Sequence, residues 1–475
     1  MRRSRWTRTA ACAVLLGAAV LAPTSAHALV PGGRASDTGR IWALDPTFSD
    51  DGVASFHVTS DPRESDSADD VVVQPDGKIV LAGDHFDYDF EGPETEGIGV
   101  VRLDPDGTLD KTFGEGGVEM ISLGPADNFG DLALQLINGQ TKIVVSGSSD
   151  DRNFVLRLNP DGSFDTDSDS DPEVHFGHDG VTFYGFQRNS STGYVVIDPD
   201  NRIVVAGRVT DVLWIGATLA RLLPDGTLDR AFGGGDGKMR VRAGAPTTVT
   251  IQPSGNDYRI VIGGWTSRDR GYNWTITRLG SDGVRDSAFG NDGMVVLSMR
   301  SPRVQQSFES VRSLSISNSS ILAFGDARVW RPDADHPMTV PALAKLTLDG
   351  ELDDTFGRNG KVRLTQPEDL GVTIEHEPGG MVQAADGSIY WTATRTYPTQ
   401  GQQQWIMVGG RDRNGAKDLR FGVPGHQQVS VGPAADAGHA IALDLQGRLV
   451  VVGSADSTTG VDQAMAAARL VLRPR

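Results

Sequence analysis

Short apolar runs separated by glycine- and aspartate-rich turns recur along the chain after its first forty residues. Runs such as Ile79 to Ala82 and Ile203 to Ala206 are apolar at consecutive positions, which predicts strands covered on both faces. Many runs follow a turn of the Pro-Asp-Gly type, as in "QPDGKIVLAG" from Gln74, and such turns favour hairpins. No amphipathic helical pattern separates the runs. The sequence therefore predicts an all-β protein of short antiparallel strands.

A longer signature repeats in step with these runs. The stretch "RLDPDGTLDKTFGEGGV", Arg102 to Val118, recurs in modified form from Arg157, Arg221, Arg278 and Lys345. Its phenylalanine occurs seven times, 56 to 67 residues apart, at Phe48, Phe113, Phe176, Phe232, Phe289, Phe356 and Phe421. Each repeat supplies four short strands without a helix. This predicts a seven-bladed β-propeller of four-stranded antiparallel blades.

We name the repeated stretch the connector and interpret it as the crossing from the outer edge of one blade to the inner edge of the next. About ten residues separate its flanking strands, more than a tight hairpin needs. On this interpretation Leu109 and Phe113 wedge between neighbouring blades. The chain enters the repeat within a connector at Leu44 and ends where the next would begin, so we expect its ends to meet. The segment from Asp462 to Arg473 has helical propensity, but its register predicts a strand.

The motifs "PDGxLDxxFGxxG" and "QPDGKIVxAG" resemble the delta-60 repeat, a family of repeats of about this length in bacterial extracytoplasmic proteins. The resemblance covers residues 44 to 475. It implies a β-propeller-like domain of unknown function and transfers no catalytic residue. Three units depart from the motif, with Arg285 at the connector's leucine, Tyr390 and Trp391 in an apolar run, and "DLRFGVPG" at the last connector.

The first 28 residues have the features of a secretory signal peptide: four early arginines, an apolar run, and Ala26-His27-Ala28 at the end. We therefore divide the chain into a signal peptide (1–28), an N-terminal lead-in (29–43) and a propeller (44–475). No later run approaches the roughly 20 apolar residues of a membrane span. Cys12, the only cysteine, lies in the signal peptide, which predicts a mature chain without disulfides. We expect a secreted or extracytoplasmic protein; the export route stays open.

The charge of the chain limits its partners. The formal net charge is −18, and loss of the arginines of the signal peptide makes the mature chain more acidic still. Such a surface repels phosphate backbones, so we expect no nucleic-acid partner. We expect a monomer that binds a protein or a glycan.

The aspartates of the connector are the first candidates for chemistry. Asp104, Asp106 and Asp110 have the spacing of a short calcium loop. The leading position is Leu223 and Gly280 in later units, and an obligatory ligand would not vary in this way. We interpret these residues as turn caps and expect no cofactor, with calcium at the three aspartates as the alternative. No nucleophile elbow or "HExxH" pattern is present.

The two faces of the predicted ring differ in their loops. In up-and-down blades the Pro-Asp-Gly turns and the connectors emerge on one face, which we name the connector face; the loops of the other face, the variable-loop face, differ in length and composition. We predict that a ligand docks on the variable-loop face, because its aromatic side chains suit sugars and proteins; packing of these side chains beneath their own loops is the alternative. The candidates are Phe86, Tyr88, Phe90, Trp214, Trp265, Tyr272, Trp330 and Tyr397.

These observations favour an exported, non-catalytic β-propeller that acts as a binding or scaffold module for an envelope or extracellular partner. The alternative is an exported enzyme, a lyase or hydrolase on envelope polymers, with its site on the variable-loop face. Carboxylates and histidines that converge on that face would favour the enzyme, whereas a broad aromatic surface would favour binding.

Secretion is expected to remove residues 1–28, because the small residues at Ala26 and Ala28 suit a signal peptidase. The intact mass of the secreted protein measures this directly. An Ala28→Trp variant, which puts a bulky residue at the cleavage site, should retain the segment. A secreted wild-type protein that keeps Cys12, with or without a lipid, would contradict the prediction.

Overall fold

The structure is a computed structural model. It describes residues 39–59, 64–87, 95–124, 126–149, 152–166, 175–186, 190–211, 214–268, 271–317, 319–330, 337–364, 375–397, 403–456 and 463–475. Within these ranges the regular elements are β-strands, apart from one 3₁₀ turn at Leu419–Phe421. The strands form four-stranded antiparallel sets, here called blades. The predicted all-β propeller of such blades is confirmed.

Three strands precede the first complete blade: β1 (Arg40–Leu44), β2 (Val53–Phe56) and β3 (Glu64–Asp66). The next two blades are β4 (Asp70–Val73), β5 (Ile79–Asp87), β6 (Thr95–Leu103) and β7 (Val118–Ile121), then β8 (Asp127–Ile137), β9 (Gln140–Ser149), β10 (Arg152–Leu158) and β11 (Val181–Tyr184). The third and fourth are β12 (Ser190–Ile197), β13 (Ile203–Asp211), β14 (Trp214–Leu222) and β15 (Lys238–Val241), then β16 (Ala245–Ser254), β17 (Asp257–Arg268), β18 (Gly271–Gly280) and β19 (Met294–Leu297).

A short strand, β20 (Ser307–Phe308), pairs in parallel with β18 before the fifth blade begins. The fifth and sixth blades are β21 (Val311–Ile316), β22 (Ser320–Val329), β23 (Met338–Thr347) and β24 (Lys361–Arg363), then β25 (Glu375–Gln383), β26 (Ile389–Tyr397), β27 (Gln403–Arg411) and β28 (His426–Val429). The last three strands are β29 (Asp436–Leu443), β30 (Leu449–Asp456) and β31 (Gln463–Pro474).

The final blade draws strands from both ends of the described chain. β2 pairs antiparallel with β31, from Val53 opposite Ala468 to Phe56 opposite Met465, and so takes the place of a fourth strand. β1 pairs with the last residues of β31, with Arg40 opposite Pro474. The segment for which helical propensity and register disagreed is therefore a strand. β1 is an additional strand that the repeat pattern did not predict.

The blades surround a common axis. The first strand of each blade contacts the first strand of the next, in the order β4, β8, β12, β16, β21, β25 and β29, and β29 in turn contacts β4. All of these strands line one cavity. The first strand of each blade is therefore the innermost, and the short strand after each connector is the outermost.

The interpretation of the connector as an inter-blade crossing is wrong. β7, which follows the first connector, pairs with β6, which precedes it, so the connector joins the third and fourth strands of one blade. Its residues fold into successive turns instead of extending: the Gly107 N–H donates to the Asp104 carbonyl, and the Phe113 N–H to the Asp110 carbonyl. The crossing to the next blade is the short segment between β7 and β8.

The repeated residues of the connector join each blade to the next. Arg102 Nε donates to Asp110 Oδ2 at 2.7 Å, and the guanidinium lies 4.6 Å from the centre of the Phe113 ring. The same guanidinium donates through Nη1 to the carbonyl of Pro160 in the following blade. The Gly114 N–H also donates across the boundary. We name this arrangement the Arg–Asp–Phe unit.

The unit recurs around the ring with nearly constant geometry. Its arginine lies 4.6 to 4.7 Å from the ring centre in each arginine-containing copy. Further copies are Arg157 with Asp165 and Phe176, Arg221 with Asp229 and Phe232, Arg278 with Asp286 and Phe289, Lys345 with Asp353 and Phe356, and Arg469 with Asp45 and Phe48. The last copy joins the two ends of the chain.

The phenylalanine ring explains why the connector of the following blade has a glycine in its Asp-Gly pair. Gly107 has φ +89°, and a Cβ there would lie 2.6 Å from the Phe48 ring. A Cβ at Gly226 would lie 2.9 Å from the ring of Phe176. Any larger residue at these positions would collide with the ring, in addition to the cost of a positive φ. The two halves of the connector motif therefore contact each other across blade boundaries.

The last connector departs from this geometry, as its sequence does. Asp418 pairs with Arg420 at 2.7 Å, and burial lowers the pKa of Arg411, the arginine at the usual position, to about 10. Trp42 of β1 stacks on Phe421 with ring centres 5.6 Å apart. β1 therefore covers a phenylalanine that elsewhere meets the glycine of the following blade.

Arg221→Ala is expected to lower the free energy of unfolding by about 3 kcal/mol, because it removes the hydrogen-bonded cation from the buried Asp229 carboxylate and leaves only Arg202 at 4.0 Å. Urea unfolding followed by circular dichroism measures the loss. Lys111→Ala, at an exposed position of the first connector, is the matched control and should change the free energy by no more than about 0.5 kcal/mol. Equal effects of the two changes would contradict this role.

Candidate functional site

The innermost strands enclose a cavity of about 300 Å³ on the ring axis. Its lining combines apolar side chains with a small number of charged ones. Cavities of this size hold small ligands, and a few convergent polar groups in an apolar wall fix a ligand's orientation. The cavity is therefore the candidate functional site.

Bulges at the start of the innermost strands aim side chains into this cavity. The register shifts between Phe129 and Asp131 in β8, between Val311 and Ser313 in β21, and between Gly438 and Ala440 in β29. A bulge leaves one residue unpaired and re-aims its side chain. The bulged residues that line the cavity include Asp69, Gly130, Arg312 and His439. The inner strands begin on the variable-loop face, so these residues lie toward that face.

Two carboxylic acids from neighbouring blades meet in the cavity. Asp70 of the first blade and Asp131 of the second share a side-chain hydrogen bond. Burial, and then the charge of Asp131, raise the pKa of Asp70 well above its ordinary value, and burial raises the pKa of Asp131 to about 6. Asp131 Oδ2 also accepts from the Val195 N–H at 2.8 Å. The pair, which we name the axial acid pair, therefore retains a shared proton near neutral pH.

A histidine–carboxylate contact lies beside the acid pair. His439 Nδ1 is 3.0 Å from Asp69 Oδ1, and Ser67 Oγ donates to the same carboxylate oxygen at 2.8 Å. Burial opposes the charged imidazole, but the hydrogen bond with Asp69 and the charge of Glu377 together raise the pKa of His439 overall. His439 is therefore protonated at higher pH than a free histidine and neutralises Asp69.

Arg312 and Tyr194 also contribute polar groups to the lining. Arg312, in the fifth blade, lies across the ring from the first two blades, and its Nε is 3.6 Å from Asp326 Oδ1. Burial raises the pKa of Tyr194, so its hydroxyl stays protonated and can donate. The cavity thus presents an acid proton, a phenol and a guanidinium from three directions. Such a set can orient a ligand rich in hydroxyl or carboxylate oxygens.

The predicted aromatic residues lie outside the axial cavity as far as the structure describes them. Trp265 stacks on Tyr272 with ring centres 4.1 Å apart, and Tyr272 meets Phe308 edge-on at 5.2 Å. Phe308, which is 59% exposed, was not among the sequence candidates. Half-buried candidates are Phe86, Trp265, Tyr272, Trp330 and Tyr397, whereas Tyr88, Phe90 and the side chain of Trp214 in β14 lie outside the described residues. Their role as a ligand surface stays a prediction.

The connector aspartates make the contacts expected of caps and ion pairs. Asp106 Oδ1 accepts from the Thr108 N–H at 3.0 Å and from its hydroxyl at 2.7 Å. Asp110 lies 2.6 Å from Lys78 Nζ, in addition to its contact with the arginine of the unit, and Asp104 lies 3.2 Å from the same ammonium. These carboxylates therefore hold the connector together; calcium binding there is untested.

Sequence reasoning missed the axial acid pair. Asp70 and Asp131 occupy equivalent repeat positions, one residue after the bulge, where later blades carry Thr248 and Ser313. An alignment of the units would have shown acids at this position in two adjacent blades. It would not have shown that this position faces the axis, because a bulge breaks the alternation from which strand faces are inferred.

The fold and the cavity define a β-propeller with a polar axial site. A sequence-family profile described as "Domain of unknown function (DUF5122) beta-propeller" matches residues 74–113, 142–167 and 199–232. Those segments cover about a fifth of the chain and include part of the connector in each of the first three blades; over these residues the chain is similar to that family. No match was found among curated protein sequences.

Solved structures of several proteins align with the chain at low sequence identity. The polysaccharide lyase Uly1 aligns with 85% of this chain and 89% of its own length, at 10% identity and a TM-score of 0.44. The GH93 α-L-arabinofuranosidase of Fusarium graminearum, in complex with arabinobiose, aligns with 91% and 96% of the two chains, at 10% identity and a TM-score of 0.39. Drosophila Plexin A in complex with Semaphorin 1b aligns with 84% and 72%, at 10% identity and a TM-score of 0.27. Similarity at this level says nothing about the activity of the chain.

No helix long and apolar enough to cross a membrane occurs in the part of the chain that the structure describes.

The axial acid pair should make stability fall as pH rises. Both pKa values are raised, so its contribution is complete below about pH 4 and is lost as pH rises through the folded values. In Asp131→Asn the amide N–H replaces the shared proton. We therefore expect the stability of this variant to fall less between pH 4 and 8 than that of the wild type. Thermal unfolding from pH 4 to 8 measures the difference. Burial raises the pKa values of Asp84 and Glu309 to about 7, so these residues contribute the same pH dependence to the wild type and to the variant. Parallel curves would contradict the assignment.

Proposed function

We propose that the protein is an exported, monomeric β-propeller of the delta-60 type that binds a small polar ligand, or the end of a glycan chain, in its axial cavity. The ligand enters from the variable-loop face and contacts the acid pair. The protein acts as a binding module for an envelope or extracellular partner.

The axial acid pair carries this proposal. Removing carboxylic acids from water is costly even when they are half-buried, and the ring does not need them, since later blades pack with Thr248 and Ser313 at the same position. Titratable groups with strongly shifted pKa values in a cleft are frequent at functional sites. Asp70 and Asp131 therefore stand out from a scaffold whose other repeated polar residues have structural partners.

The charges of the lining indicate the chemistry of the ligand. The acid pair retains a proton, and His439 neutralises Asp69, so the cavity has little excess charge on that side. Arg312 is the cation across the ring, where its ion pair with Asp326 through Nε leaves the Nη donors for a ligand. This arrangement suits a hydroxyl-rich ligand that carries a carboxylate, such as an acidic sugar.

The direction of entry follows from the order of the strands. Each inner strand starts on the variable-loop face and ends at a turn on the connector face. Asp69 directly precedes β4, Asp70 is its first residue, and Asp131 lies in the first half of β8. Loops on a rigid repeat scaffold commonly carry binding residues. The aromatic group of Trp265, Tyr272 and Phe308 would add contact area for a larger partner.

An enzyme is the second candidate, and one observation favours it. Carboxylates and a histidine converge near the mouth of the cavity, and a carboxyl group protonated near neutral pH could act as a general acid. However, Asp70 and Asp131 hydrogen-bond to each other, whereas the two carboxyl groups of a retaining glycosidase stand about 5 Å apart and those of inverting enzymes farther. The pair therefore supports binding better than paired acid–nucleophile catalysis.

The double variant Asp70→Asn with Asp131→Asn should weaken ligand binding at least about tenfold, because it removes the shared acid proton and its acceptors. Calorimetry with neutral oligosaccharides, uronic acids and N-acetylated amino sugars as separate probes identifies the class that binds. Asp76→Asn, in an exposed turn on the connector face, is the matched control and should bind as the wild type does. Arg312→Gln should weaken acidic probes selectively.

Chromatography of the same mixtures separates binding from catalysis. Unchanged sugar after long incubation supports a binding module. A product that forms with wild type but not with Asp131→Asn would instead establish the enzyme. Binding that survives the double variant but fails in Asp76→Asn would place the ligand on the connector face and contradict the proposal.

A further inference from the structure

A carboxylate three residues before the bulge supports the inter-blade crossing in four blades. One of its oxygens accepts a hydrogen bond from a backbone N–H of the crossing, at the second residue after the outermost strand of the preceding blade. The carboxylate therefore fixes the path of the crossing. The pairs are Asp66 with Val58, Asp127 with Leu123, Glu309 with Met299, and Asp436 with Val431. We name these residues the crossing clamps.

The first clamp differs from the others in its surroundings. Asp66 Oδ1 lies 2.7 Å from His85 Nδ1, and Asp66 Oδ2 lies 3.5 Å from His57 Nδ1. Glu64 lies beside them: one ligand atom each from Glu64, Asp66 and His85 fall within 4.8 Å of one another. The exposed fractions of these residues are 4%, 0% and 3%. Two carboxylates and the His85 imidazole therefore meet at one buried point, and the partly exposed His57 imidazole lies beside it.

The other clamps lack this chemistry. His85 lies two residues after the glycine of the second strand of its blade. In the blades of the other three clamps this position is occupied by Ser149, Ala327 and Ala455. In the part of the chain that the structure describes, no histidine lies within ion-pair distance of Asp127, Glu309 or Asp436. The clamp function therefore requires only the carboxylate. The histidines and Glu64 at the first clamp need another explanation.

We propose that Glu64, Asp66 and His85, with His57 as a fourth ligand, form a binding site for a transition-metal ion of the Zn²⁺ class. Imidazole together with carboxylate suits zinc and its neighbours, whereas Ca²⁺ takes oxygen ligands almost exclusively. Tetrahedral zinc with bonds of about 2.1 Å places its ligand atoms roughly 3.4 Å apart. The ligand atoms of Glu64, Asp66 and His85 lie within 4.8 Å of one another, and His57 Nδ1 lies 3.5 Å from Asp66 Oδ2. Small side-chain adjustments would complete the site.

The location gives the metal a structural role. β3, which carries Glu64 and Asp66, pairs with β5 of the first blade and with β31 of the last blade through Ser65 and Gln463. His57 directly follows β2, the N-terminal strand of the last blade. An ion here links β2, which is joined to the rest of the last blade by its pairing with β31 and not by a loop of the chain, to the first blade. Binding to the folded state alone would stabilise the closed ring.

The test uses ZnCl₂ and protein freed of metal by chelation and dialysis. Calorimetry should show one Zn²⁺ bound per chain, and added Zn²⁺ should raise the midpoint of thermal unfolding. His85→Ser, which introduces the residue of the equivalent position in the second blade, should weaken binding by more than about 100-fold and abolish the shift. Glu64→Gln should weaken binding and keep the volume of the side chain.

Two control variants separate the metal site from simpler effects. Asp127→Asn alters a clamp without histidine and should lower stability while leaving Zn²⁺ affinity unchanged. His178→Ser removes a histidine that is 94% exposed beside Asp179, and it should not affect binding. Zn²⁺ bound equally well by His85→Ser, or lost in His178→Ser, would overturn the proposal.

A spectroscopic measurement on the wild type guards against variants that do not fold. Co²⁺ in a four-coordinate site of nitrogen and oxygen ligands absorbs strongly in the visible range, and Zn²⁺ should displace it and remove the colour. Spectra typical of hydrated Co²⁺, or the absence of Zn²⁺ binding to the wild type, would also overturn the proposal.

Discussion

The contact of one arginine with three partners is the constraint on which the ring depends. In each regular unit the guanidinium binds an aspartate of its own connector, covers a phenylalanine, and donates to a carbonyl of the next blade. The aspartate neutralises a buried charge, and the phenylalanine fills the space below a glycine turn in the neighbouring blade. Because each unit contacts two neighbouring blades, the repeated contact holds these blades at a similar distance at each regular boundary.

A ring held at its periphery leaves its axis free to vary. The units lie in connectors between the outer two strands, far in sequence from the bulges that line the cavity. Substitutions at the bulges therefore leave the contacts between connectors unchanged. This separation explains how Asp70 and Asp131 can differ from the residues of later blades without a change in blade geometry. The scaffold determines where the axial side chains lie, and their identities determine the chemistry.

Closure is the exceptional step in this architecture. In the first six blades consecutive strands are joined by the chain itself, but in the last blade β31 is joined to β2 and β1 by strand pairing alone. Arg469 with Asp45 reproduces the unit across the ends, and Trp42 covers the irregular last connector. The buried side chains of Glu64, Asp66 and His85 lie where the chain passes from this last blade to the first. Specialised chemistry is concentrated beside the blade that strand pairing alone closes.

The sequence by itself determined the strands, the repeat length and the four-stranded blades, because turn chemistry and apolar runs are local properties. It also identified Phe113 and its equivalents as residues between blades. Only the tertiary structure decided that the connector stays within a blade, since the same residues could either extend or fold into turns. The acid pair and the site at Asp66 were likewise beyond the sequence. Bulges and the closing strand bring together side chains from distant positions, and neither leaves a periodic signal in the chain.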